Sequence, residues 1–114
     1  MKYYLVNEHL EHQGFGYFHT VLVYGDEEKF NHNYYLCWQY QVASIDEITG
    51  QAICTGDRII DCEGLNEIPM EDYQVLAKYK MPFSMDEIME EGKAIWDSNP
   101  SLQKSWDIYE MSRL

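Results

Sequence analysis

The pattern of apolar and polar positions along the first sixty or so residues is that of β-strands, and it is cleanest over 34–44, where one face is apolar and the other is half polar. We predict strands over residues 2–6, 15–24, 34–44 and 51–60, and 15–24 is rich in β-branched and aromatic side chains with both faces fairly apolar. Carboxylates and Gly50 in the stretch 46–50 indicate a hairpin loop, so that 51–60 should pair antiparallel with 38–45. Gly56 inside the last strand indicates a bulge or a bend.

Helical spacing of apolar residues replaces this alternation from about Cys62 onward. Pro69 suits the first turn of a helix that runs to about Tyr79. Ser84 and Glu87 form a capping-box pattern before a second helix, and Asn99 with Pro100 marks the start of a third. The apolar stripes of these helices include Tyr73, Leu76, Ile88, Met89, Ile95, Trp96, Leu102, Trp106 and Tyr109.

These elements predict one α+β domain spanning residues 1–114. We expect a four-stranded antiparallel sheet in meander order, followed by three C-terminal helices packed on one face of the sheet. A chain of this length buries enough surface to fold without disulfides or metal ions.

The net charge of −12 narrows the classes of partner. Residues 1–62 hold 9 acids and 3 bases, and residues 63–114 hold 11 acids and 5 bases, so that each part carries −6. Such a charge opposes direct binding to nucleic acids and to anionic membranes, and it attracts basic proteins. The simpler interpretation is that the charge only keeps the protein in solution.

Cys37, Cys54 and Cys62 lack the spacing of zinc or redox sites, and we interpret them as three buried thiols in a reducing compartment. The N-terminal apolar stretch is too short for a signal peptide, and no stretch approaches the ~20 apolar residues that span a bilayer. We therefore expect a cytoplasmic protein that does not bind membranes.

His9 and His12 are the strongest metal-ligand candidates, since side chains three residues apart share one face of a helical turn. Glu8, Glu11 and His19 are the neighbouring groups that could complete such a site. These residues fall in a short polar connector, however, so that a solvated loop is favoured over a metal site. We expect no cofactor.

The sequence offers no catalytic group with the necessary surroundings. Cys62 lies between Asp61 and Glu63, which would raise the pKa of its thiol and oppose the reactive thiolate. The paired carboxylates lie in loops or on outer helix faces, where they are usually solvated. An enzyme is therefore not favoured.

Aromatic residues make up 15% of the chain. We expect several of them to be exposed, because the rest of the chain cannot fully cover both faces of the tyrosine-rich strands. We hypothesise a non-enzymatic protein-binding module, an inhibitor of a basic nucleic-acid-binding or toxin-like protein, with self-association into a homodimer as a related hypothesis. The alternative is a small-molecule binder or enzyme with an aromatic pocket between sheet and helices. The candidate ligand- or partner-binding residues are Tyr17, His19, Tyr35, Cys37 and Tyr40.

Overall fold

The computed structural model describes residues 1–55 and 58–114 as a sheet covered by helices. In these residues six strands form one mixed sheet with the order β3-β4-β5-β1-β2-β6. Neighbouring strands are antiparallel, apart from the parallel pair of β2 and β6. The strands are β1 (Lys2–His12), β2 (Phe15–Gly25), β3 (Val42–Ile45), β4 (Ala52–Cys54), β5 (Arg58–Ile68) and β6 (Pro82–Ser84).

Strands β1 and β2 form a hairpin whose turn consists of Gln13 and Gly14. Both turn residues have positive φ angles, 51° and 83°, as the tightest two-residue hairpin turns require. The pairing runs in register from His12 opposite Phe15 to Lys2 opposite Gly25. Strand β5 pairs with the other edge of β1, so that β1 lies at the centre of the sheet.

Helices lie on both faces of the sheet. In the described residues the α-helices are α1 (His32–Gln39), α2 (Met70–Leu76), α3 (Met85–Asp97) and α4 (Pro100–Ser112), with a 3-10 turn at Glu27–Lys29. Side chains of α1, α3 and α4 enclose the main core with β1 and β2, and we call this side of the sheet the α1 face. Tyr73 of α2 packs on Tyr3 at a ring distance of 4.1 Å, which places α2 on the opposite side, the α2 face.

The predicted four-stranded antiparallel meander with three helices on one face is wrong, because the part of the chain that the structure describes has a six-stranded sheet with a parallel pair, accompanied by four α-helices. The main error is the strand predicted over 34–44. Its first part is helix α1, whose N-cap Asn31 accepts a hydrogen bond from the Tyr34 amide. Gly92 of α3 lets that helix approach the Tyr34 backbone closely, so tertiary packing overrides the strand propensity of the aromatic residues.

The change to helical structure predicted at Cys62 is also misplaced, since β5 continues to Ile68. Gly64 has a φ of +97°, so the strand passes this point in a conformation that favours glycine. Helix α2 then ends at Leu76, three residues earlier than predicted, and β6 follows. The bulge or bend predicted at Gly56 lies outside the described residues.

Other local predictions are confirmed. Strands β3 and β4 form the hairpin around 46–50, where Asp46 accepts hydrogen bonds from the amides of Ile48 and Thr49. Helix α4 begins at Pro100, and Asn99 caps it by accepting a hydrogen bond from the Leu102 amide. Helix α3 begins directly after Ser84, but the predicted capping box is wrong, since the Ser84 side chain makes no capping hydrogen bond.

Among the described residues, no helix has the length and apolar character needed to cross a bilayer.

Candidate functional site

A fully buried carboxylate, Glu8, lies at the centre of the sheet. Strand alternation places it on the α1 face, in the series Tyr4, Val6, Glu8, Leu10, whose other members are core residues. Its cross-strand neighbours are His19 on β2 and Cys62 on β5. An ionised carboxylate in such a position is costly unless its oxygens accept hydrogen bonds.

Helix α1 and strand β2 supply the donors. The hydroxyl of Tyr35, on α1, donates to Oε1 of Glu8, and the hydroxyl of Tyr40, at the C-cap of the same helix, donates to Oε2. His19 adds a third contact, with its Nδ1 atom 3.2 Å from Oε2. Hydrogen bonds to a charged acceptor are the stronger kind, so this arrangement holds the C-terminal end of α1 to the middle of the sheet.

His19 connects this buried cluster to the surface. The imidazole is half exposed, whereas the carboxylate beneath it is completely buried. Because Nδ1 faces Glu8, Nε2 is the ring nitrogen available to a ligand. A carboxylate that orients a histidine in this way is typical of proton-transfer and ligand-binding sites.

Two surface depressions meet at His19. The first, of about 360 Å³, lies between the α1 face of the sheet and the C-terminal end of α1, with Tyr17, Tyr40 and Arg58 in its walls. The second, of about 280 Å³, contains Lys80 and Phe83. His19 and Gln39 line both depressions. The imidazole that Glu8 orients therefore lies between two concave surfaces that have the size of small-molecule sites.

The buried hydroxyl and thiol groups around Glu8 keep their protons. Burial raises the pKa of Tyr35 and of Tyr40 well above the usual value of a phenol, and the neighbouring Glu8 carboxylate raises both further. Burial likewise raises the pKa of Cys62 to about 11, with smaller contributions from Glu8, Asp61 and Glu63. The phenols therefore act as hydrogen-bond donors, and the thiol is unsuited to nucleophilic attack.

The part of the hairpin beyond this cluster, residues 9–20, carries exposed aromatic side chains, and we call it the outer hairpin. Phe15 is 79% exposed, Phe18 72% and Tyr17 50%. The rings of Phe18 and His9 lie 4.9 Å apart on the α2 face. A Cβ atom added at Gly16 would approach His9 Nε2 to 2.8 Å, so the His9 side chain lies across Gly16 and braces the outer hairpin.

The structure brings together four of the five residues that the sequence indicated as ligand- or partner-binding. Tyr35, Tyr40 and His19 surround Glu8, and Tyr17 lines the depression beside Tyr40. The fifth, Cys37, is a buried core residue on α1, where burial raises the pKa of its thiol to about 11. All three cysteines are free and buried, as predicted.

Glu8 is the residue that the sequence interpretation missed as the centre of the cluster. The predicted first strand ended at Val6, yet its alternation continues through Leu10. A carboxylate on the apolar face of a strand was the signal available, since such a group needs buried partners.

The structure does not bring the side chains of His9 and His12 together. Residues His9 and His12 belong to strand β1 and not to a helical turn, so their side chains lie on opposite faces of the sheet. Within residues 1–55 and 58–114, no cluster of three or more His, Cys, Asp or Glu side chains is placed to hold a metal ion.

None of the protein-family models, curated protein sequences and solved structures with which the chain was compared matches it.

Proposed function

We propose that the protein is a non-enzymatic binding module that uses the outer hairpin to bind a basic protein. The observation that carries this proposal is the joint exposure of Phe15, Tyr17 and Phe18 at one end of the sheet. Aromatic side chains dominate the binding energy of many protein interfaces, and clustered exposed apolar groups mark such surfaces.

The framework behind these aromatic residues favours binding with little loss of conformational freedom. Strand β1 is held between β2 and β5, and the Glu8 cluster ties its middle to α1. A preorganised surface gives up less entropy when it binds than a mobile loop does.

The charge of the chain supports a basic partner. The net charge is −12, and the exposed acids Glu11 and Asp61 lie on the α2 face of the sheet near the outer hairpin. Opposite charge accelerates association and excludes acidic competitors. A nucleic-acid-binding or toxin-like protein has the required basic surface, and binding there would inhibit it.

Affinity capture from a lysate of the source organism tests this function. Wild-type protein is compared with the double variant Phe15→Ser/Phe18→Ser and with a control that removes exposed apolar groups elsewhere, Ile48→Ser/Met81→Ser. We expect wild type and control to retain the same basic protein and to release it as salt rises, and the hairpin variant to lose it. Equal retention by the hairpin variant, or no enrichment at low salt, would contradict the proposal.

A second candidate function, small-molecule binding, is favoured by the position of His19. The Glu8-oriented imidazole and the Tyr40 side chain border the depression of about 360 Å³ between sheet and helix, close to the predicted place for a pocket. A thermal-shift screen of metabolites and nucleotides tests it, since a ligand at 100 times its Kd adds ~2.7 kcal/mol of stability. A ligand of this site should stabilise wild type and not His19→Ala; absence of any hit would count against it.

A further inference from the structure

We propose that the outer hairpin binds its partner by strand addition, with an extended basic segment of that partner pairing along the open edge of β2 at residues 15–20. This inference rests on the proposed protein-binding function and specifies how the same surface works. One juxtaposition carries the proposal. The outer edge of β2 at residues 15–19 pairs with no described strand, and exposed aromatic side chains lie on both faces of β2 beside that edge.

The edge is open because the neighbouring strand is short. Strand β6 pairs with β2 only at Leu22–Tyr24, and no other described strand lies beside β2 on that side. The preceding residues of β2, from Phe15 to His19, are all exposed. About 17 Å of edge is therefore available, since a strand rises roughly 3.3 Å per residue.

One side-chain contact fixes which backbone groups face outward. Lys80 Nζ donates to the carbonyl oxygen of Thr20 at 3.0 Å from the side of the sheet edge. Hydrogen-bonding direction alternates along a strand, so the amide and carbonyl groups of Gly16 and Phe18 also point outward, whereas those of Tyr17 and His19 point toward β1. Among the described residues, the outward groups of Gly16 and Phe18 have no backbone partner.

Proteins usually protect an edge with charged residues, proline or a bulge. Here Lys80 and Pro82 protect the inner part of the edge, at Thr20 and Leu22. Residues 15–19 contain no Lys, Arg, Asp, Glu or Pro, and they pair with β1 without a bulge. An unprotected aromatic edge of this kind is the structure that strand-adding peptides use.

Charge selects a basic segment as the occupant. Phe18, His9 and Asp61 lie side by side across the α2 face, and Glu11 is the next residue along that face of β1. Strands lie about 4.8 Å apart, so an added strand would run roughly 10 Å from β1 and roughly 14 Å from β5. The long side chain of a lysine on it can approach Glu11 and Asp61 to within about a Debye length. A second copy of the chain would bring another −12 of charge and is disfavoured as the occupant.

The test uses isotope-labelled protein titrated with a synthetic hexapeptide of alternating valine and lysine, capped at both ends. We expect chemical-shift changes and slowed hydrogen exchange at the Gly16, Phe18 and Thr20 amides. Phe18→Pro should weaken binding at least about tenfold relative to Phe18→Val, because both lose the ring but only proline loses the outward amide. The same peptide with glutamate in place of lysine should bind much more weakly.

Equal affinity of the two Phe18 variants, shifts centred elsewhere, or no binding at millimolar peptide would overturn strand addition. If Phe18→Pro does not fold, the wild-type protein is instead titrated with a peptide N-methylated at alternate residues, which removes amide donors from the added strand. Undiminished binding of that peptide would also overturn strand addition. Self-association of the free protein through the same amides would identify a second copy as the occupant and overturn the basic-segment proposal. The two proposals can fail separately. If the Phe15→Ser/Phe18→Ser variant loses lysate capture but the peptide test fails, the outer hairpin still binds a protein and only strand addition is rejected.

Discussion

The Nδ1 atom of His19 lies 3.2 Å from Oε2 of Glu8, so a half-exposed imidazole is held by a carboxylate that has no contact with solvent. The same carboxylate accepts hydrogen bonds from Tyr35 and Tyr40. It thus links β1, the partner of the strand that carries the exposed aromatic residues, to helix α1. Disruption of the cluster should therefore lower the stability of the fold and change the orientation of His19.

Glu8→Gln should lower the free energy of unfolding by about 1–3 kcal/mol. The amide has one acceptor oxygen where the carboxylate has two, so a buried donor is left without a partner. Urea unfolding followed by circular dichroism measures the loss. The matched control, Glu71→Gln on the exposed side of α2, should change stability by less than about 0.5 kcal/mol. A Glu8→Gln protein as stable as wild type would show that the cluster does not anchor the helix.

Stability should fall as pH rises above about 9. Burial raises the pKa of Cys37 and of Cys62 from 9.0 to about 11, so each thiol holds its proton more tightly in the folded chain than in the unfolded chain. This stabilisation is complete below pH 9 and is lost as pH rises through 11, by on the order of 2 kcal/mol per thiol. Urea midpoints between pH 7 and 11 measure it. Cys62→Ala should show a shallower decline, and an unchanged slope would contradict the assignment.

The neutral His19 ring should carry its proton on Nδ1, because only that nitrogen faces the Glu8 carboxylate. Nitrogen chemical shifts from long-range proton–nitrogen spectra distinguish the two tautomers. We expect an Nδ1-protonated ring in wild type and a reduced share of that tautomer in Glu8→Gln. An Nε2-protonated ring in the wild-type protein would mean that Glu8 does not orient His19.

Gly92→Ala should destabilise the protein, although alanine normally strengthens a helix by about 1 kcal/mol over glycine. An added Cβ at this position would lie 1.9 Å from the carbonyl oxygen of Tyr34, so α3 and α1 would have to separate. We expect a loss of about 1–3 kcal/mol in thermal or urea unfolding. Ala94→Gly, at an exposed position of the same helix, should cost about 1 kcal/mol. A stabilised Gly92→Ala protein would contradict the close packing of α1 on α3.

Local signals in the sequence were sufficient for the C-terminal helices and the small hairpin. Asn99 followed by Pro100, and the acidic turn around Asp46, act through hydrogen bonds to nearby backbone amides, which makes them readable from neighbouring residues. Helix α1 was not readable in this way. Its Tyr, Trp and Cys residues favour strands, and it forms because α3 and Glu8 provide contacts from distant parts of the chain.

The candidate site could be predicted from the sequence only in part. Tyr17, His19, Tyr35 and Tyr40 stood out as aromatic or titratable residues with polar tips, and the fold brings them to one place. Glu8 did not stand out, because recognising it required β1 to continue beyond Val6, where the predicted strand ended. The open edge of β2 was not predictable either, since it depends on where the short parallel strand β6 stops.

Photo-crosslinking from the outer hairpin tests the binding surface most directly. Phe18 is replaced by benzoylphenylalanine in one protein and Tyr79, another highly exposed aromatic residue, in a control. After irradiation in lysate of the source organism at low salt, we predict a covalent adduct with one basic protein from position 18 and none from position 79. Adducts of equal yield from both positions, or no adduct from position 18, would contradict the outer hairpin as the partner-binding surface.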